Sequence, residues 1–206
     1  MRLTSVILLF FLGYNYSNAQ ASSTPTNPKW NEADRQYLLE NLKEVREALL
    51  KETQNLTEAQ WNFQPDSTQW SINQIIEHIA IWELIFVNEI SVSLQMGPIP
   101  NFKYTQKDSS FIGQGTQNLK KEKAEDFTKP FTYANPRGEN PGERNLNWLL
   151  RMIDETLSFV DIEERDLRSY YINFGPNIHQ KCIMMFSHAN RHIRQIQRVK
   201  EHDSFP

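Results

Sequence analysis

The stretch Asn177-Ile178-His179-Gln180-Lys181-Cys182-Ile183-Met184-Met185-Phe186-Ser187-His188-Ala189-Asn190-Arg191-His192-Ile193-Arg194-Gln195-Ile196 decides the fold of this chain. Ile178, Cys182, Met185, Ala189, His192, Ile196 and Val199 recur at alternating spacings of four and three, which places them on one stripe of a helix predicted from about Asn177 to Glu201. A stripe of that length needs partners, and three other segments supply them. Leu38, Leu42, Val45 and Leu49 mark a first helix, opened by Asn31 with Asp34 three residues on. Ser71 and Gln74 stand at capping-box spacing and open a second helix to about Gln95, with Ile72, Ile75, Ile76, Ile79, Trp82, Phe86 and Ile90 as its apolar set. Asn140-Pro141-Gly142-Glu143 combines a cap residue, a proline and an acid, and starts a third helix that buries Leu146, Leu149, Leu150, Ile153, Leu157 and Val160.

Short elements fill the gaps. Thr57 and Gln60 bracket a one- or two-turn helix at Thr57–Trp61, and Tyr170–Pro176 reads as a short extended or turn element. No pair of alternating runs builds a sheet. The fold class is therefore all-α: a four-helix bundle with a long irregular excursion, residues 97–139, between helices 2 and 3. Phe102, Tyr104 and Phe111 in that excursion are expected to line an opening, and the charged run Lys120–Asp126 reads as a solvated helical turn.

The ends and the composition bound what the chain can be. Arg2, the apolar run Val6–Leu12 and the small residues Ser17, Ala19 and Ala21 form a signal segment over residues 1–21, with cleavage expected after Ala19 or Ala21. Residues 22–29 are a flexible lead-in, and 30–202 are one bundle domain. No cysteine lies near the cleavage points, so a lipid anchor is disfavoured and a soluble periplasmic or secreted product is expected. No later segment is long and apolar enough to span a membrane. The 22 Lys and Arg residues are interspersed with 25 Asp and Glu, which leaves no electrostatic footprint for nucleic acid. Cys182 is the single cysteine, so no internal disulfide is available, and its place on the apolar stripe makes it a small buried hydrophobe. Pairing of two copies through an exposed helix face is the expected form of association.

Chemistry enters with the histidines. His188 and His192 stand at i and i+4 on the last helix, about 40° apart in rotation and about 6 Å in rise, so both imidazoles can converge on one ion. His78, in the second helix and one turn before Trp82, is the best candidate for a third ligand. The alternative is that each is a core or boundary histidine satisfied by a neighbouring group, and the register between helices that separates the two readings is not fixed by sequence. His179 and His202, near the ends of the last helix, are expected to be exposed. Glu77 and Glu83 flank His78 and are expected on a solvated face or as partners of the ligands.

Trp70-Ser71-Ile72 followed by His78, the later Phe174-Gly175 turn and His188-x-x-x-His192-x-x-Gln195 together resemble the DinB-like superfamily, the damage-inducible and metal-dependent hydrolase group. The resemblance covers about residues 30–200. It implies a four-helix bundle in which one histidine of the second helix and two of the fourth hold a divalent ion, usually zinc or nickel. Carried over by position, the ligands are His78, His188 and His192. Three neutral imidazoles leave a coordination position open for water or a small-molecule substrate, the arrangement of a catalytic ion, and hydrolysis is one natural reaction class. The better understood branch of the family implies a thiol-dependent S-transferase, whose thiols are cytoplasmic whereas the signal segment directs this chain elsewhere; hydrolysis therefore ranks first, with a non-catalytic metal- or ligand-binding bundle and S-transfer as the alternatives.

Overall fold

A computed structural model describes residues 28–116 and 135–206. The signal segment, nearly all of the lead-in and the Lys120–Asp126 run lie outside the described residues. Six helices are described: α1 (Glu32–Thr53), α2 (Glu58–Asn62), α3 (Ile72–Met96), α4 (Asp108–Thr116), α5 (Gly142–Ile162) and α6 (Ile178–Lys200). Among the described residues no helix is long and apolar enough to cross a membrane.

The helix starts are built as the sequence signals require. Asn31, Thr57, Ser71 and Asn177 each accept from the third residue of their helix, whose own side chain answers the cap backbone. Each such cap is worth about 1 kcal/mol, because it satisfies donors that the first turn cannot. The third long helix departs from expectation. Pro141, not Asn140, is its N-cap and makes no side-chain cap bond. Asn140 instead accepts at its carbonyl oxygen from the Asn73 side-chain amide of α3, 2.8 Å away. Gly142 then opens α5 directly beneath Trp61, at a distance where a Cβ would lie 2.3 Å from the indole ring.

The long helices α1, α3, α5 and α6 form the bundle. α3 and α1 each pack against both α5 and α6, so among the described elements α1 faces α3, and α5 faces α6, across the diagonals. Side-chain pairs give the directions. Tyr37 meets Phe186, and Glu52 meets Lys200, so α1 and α6 run parallel. Glu89 meets Lys181 while His78 meets His188, so α3 and α6 are antiparallel. Arg46 meets Asp154, and Arg35 donates to the carbonyls of Val160, Asp161 and Glu163, so α1 and α5 are antiparallel too. It follows that α3 and α5 point the same way, with Asn73 and Asn145 bonded at their starts. The chain must therefore travel back the length of α3, about 37 Å for its 25 residues, before α5 can begin. That return is the physical reason for the long excursion.

Part of the excursion is regular. α4 lies within it and packs against α6, and Phe111 on α4 is 1% exposed, a core residue and not the lining of an opening. Phe102 packs edge-on against Tyr171 and near Phe174. The core itself is continuous, with Leu38, Leu49, Ile75, Ile79, Leu149 and Ile196 fully buried, each worth roughly 1.5–3 kcal/mol of transfer free energy. Cys182 belongs to it, as expected. His179 corrects the sequence reading: it is 2% exposed and stands 3.5 Å from Asp108 and 3.8 Å from Asp34. Arg168 pairs with the same two carboxylates, so an ion network ties the starts of α1 and α4 to the 163–177 connector, and His179, held neutral by burial, sits against it at the start of α6. A first-turn position looks exposed in sequence only if nothing packs on it, and here α4 does.

Candidate metal centre

Antiparallel packing of α3 on α6 brings the three sequence-predicted histidines to one level. His78, His188 and His192 present ligand nitrogens that all lie within 4.8 Å of one another. Their ring centroids are 5.3 Å (His78 to His188), 4.8 Å (His78 to His192) and 4.6 Å (His188 to His192) apart. Nε2 of His188 and Nε2 of His192 are 3.1 Å apart. Two nitrogens bound to one ion at about 2.0–2.1 Å stand about 2.9–3.3 Å apart for octahedral to tetrahedral angles, so this pair has the separation of neighbouring ligands.

The tautomer of His192 is set from behind. Its Nδ1 lies 2.9 Å from Oε1 of Gln195, which can only accept, so Nδ1 carries the hydrogen and Nε2 turns its lone pair to the centre. Gln195 is buried and one turn on from His192 along α6. His188 differs, since its Nδ1 is shielded from solvent and has no hydrogen-bond partner. Burial pushes both His188 and His192 well below the ordinary imidazole range, and the other imidazoles of the cluster and Arg191 push the same way. Both are therefore neutral at pH 7, the form in which imidazole donates to a metal.

Aromatic rings wall the cluster. Trp70 lies tilted against His78 at 4.7 Å and nearly parallel to His192 at 6.3 Å. Trp82 stands 6.4 Å from His78 and 6.2 Å from His188, and Phe86 is 6.2 Å from His188. The donor set fits a divalent metal ion: three imidazoles, one with its orienting partner, in a mostly apolar shell.

The two acids beside His78 are placed otherwise than expected. Glu77 accepts from the backbone N–H of Arg137 (2.9 Å) and Gly138 (2.6 Å), pinning the approach to α5 against α3. Gly138 has φ of 73°, and a Cβ there would lie 3.1 Å from the Gln74 side chain, so glycine suits the turn twice over. Glu83 is 2% exposed, with one carboxylate oxygen lacking a partner, and burial pushes it up to about 8. It is neither on a solvated face nor bonded to a histidine. Sequence reasoning also missed the task of Gln195, although its i+3 spacing from His192 was a readable signal.

A family model of the DinB superfamily matches residues 41–196 of the chain. Among solved structures, YfiT from Bacillus subtilis superimposes with a TM-score of 0.52 over 89% of this chain and 95% of its own, at 11% sequence identity. It is described as a probable metal-dependent hydrolase with an unusual four-helix bundle topology. At that identity the likeness speaks to fold alone. No curated protein matches the chain significantly.

Proposed function

The chain belongs to the DinB superfamily, and from that premise we propose that it is an exported metal-dependent hydrolase acting on a small molecule, with zinc or nickel held by His78, His188 and His192. The observation that carries this reading is the convergence of three imidazoles, with two Nε2 atoms at 3.1 Å. When bound, a divalent ion supplies Lewis acidity, which polarises a carbonyl or phosphoryl oxygen and acidifies water toward neutral pH. The remaining work falls to the chain. Gln195 holds the His192 ring in one tautomer, Trp70 and Phe86 keep water from the buried side, and three ligands leave a position for substrate. The description of YfiT supports the reaction class, and the signal segment supports export to the periplasm or beyond.

The test is turnover of a panel of esters, amides and phosphoesters by the zinc- and nickel-loaded protein beside His78→Ala. Hydrolysis lost in the variant and restored to chelated parent by metal is the expected result. Turnover that requires an added thiol would contradict hydrolysis and favour S-transfer, and no turnover with bound metal would leave a metal-binding bundle.

A further inference from the structure

The walls of the histidine cluster are unequal. Trp70 is 7% exposed and His78, His192 and Phe86 are each 5% exposed, whereas His188 and Trp82 are only half-buried. His188 and Trp82 thus form the side of the cluster nearest the surface, although the Nδ1 of His188 is itself shielded from solvent. Trp82 is one turn beyond His78 on α3 and stands nearly upright to both neighbouring imidazoles, at 69° to His78 and 71° to His188. An indole upright to two imidazoles presents ring surface beside both of them on the less buried side of the cluster. Phe86 continues that surface, 5.5 Å from Trp82 and tilted by 35°.

From this arrangement we propose that Trp82 is the specificity-determining residue of the centre, and that the substrates it selects carry a flat aromatic group with no positive charge next to the bond that is cleaved. The inference rests on the metal-centre reading above. Ring stacking on indole is favourable for aromatic and for cationic partners alike. Charge decides between them. The Arg191 charge reaches both His188 and His192, and a bound dication adds to it, so a cationic group is repelled where a neutral ring is not. An aliphatic group gains only its area and loses the ring-to-ring term.

The experiment compares benzohydroxamate with acetohydroxamate, two small chelating probes that differ in the ring, as ligands of the nickel- or cobalt-loaded protein, read by the visible spectrum of the metal. Parent protein is expected to prefer the aromatic probe, Trp82→Ala to reduce that preference about fivefold, the order of one aromatic pair, and Trp82→Phe to keep most of it. Metal content is measured on the same samples and is expected to be unchanged. Equal preference in parent and Trp82→Ala, with metal bound in both, would overturn the assignment of Trp82 alone. A parent protein that takes up no metal would overturn the centre itself, and this inference with it.

Discussion

Nε2 of His192 stands 3.1 Å from Nε2 of His188, one turn away on α6, while Gln195 holds the opposite nitrogen of the His192 ring at 2.9 Å. The ligand pair is thus braced on one side only, and the two imidazoles should respond differently to loss of their surroundings.

The first expectation concerns that brace. Gln195→Ala frees the His192 ring to adopt either tautomer and leaves a buried N–H without its acceptor. Metal affinity should fall roughly tenfold or more, in the range of lost partners behind a metal histidine, while helix content is kept. Isothermal titration with zinc measures it, and unchanged affinity would show that Gln195 does not orient the ligand.

Fluorescence offers an independent readout. Trp70 packs against His78 at 4.7 Å and Trp82 lies within 6.4 Å of two cluster rings. Nickel or copper at the centre should quench a large share of the tryptophan emission, and Trp70→Phe should remove much of the quenched part. Quenching that persists in the His188→Ala/His192→Ala variant would place the ion elsewhere.

Gly142 tests the packing that starts α5. A methyl group there would meet the Trp61 ring at 2.3 Å, and a buried indole in the core cannot swing away as a flexible chain could. Gly142→Ala should therefore destabilise the protein by about 1–3 kcal/mol, despite the better helix propensity of alanine, and thermal unfolding would show it.

Glu83 gives a pH signature. Burial raises its carboxyl to about 8, so between its unfolded value of 4.5 and about 8 the folded state keeps a proton that the unfolded chain has lost. Fewer protons on the unfolded state means that stability falls as pH rises, by about 1.4 kcal/mol per unit across that window. Glu83→Gln is neutral at every pH and should flatten the fall: more stable than the parent at pH 8, close to it at pH 4. Unfolding midpoints at the two pH values measure this, and parallel curves would contradict it.

The long helices and three of their four starts were legible in sequence, because each rests on local rules: a capping residue, its partner three positions on, and a stripe at helical spacing. Asn31 with Asp34 and Ser71 with Gln74 are such pairs. What sequence could not give is the consequence of register. Asn140 reads as a cap, but its carbonyl is claimed by Asn73 from another helix, 67 positions away. His179 reads as exposed until α4 covers it, and Glu83 reads as solvated until α3 is docked on α6. The candidate ligands sit between these cases. The i, i+4 pair follows from α6 alone, whereas His78 joins it only once the antiparallel packing of α3 and α6 sets them level.

Elemental analysis of residues 22–206, purified without a histidine-rich tag, reads directly whether this cluster holds a metal ion. Beside it stands the His188→Ala/His192→Ala variant, with circular dichroism to establish that it folds. The account expects near-stoichiometric zinc or nickel in the parent and none in the folded variant. No metal in the parent after incubation with either ion, or equal metal in both proteins, would contradict it.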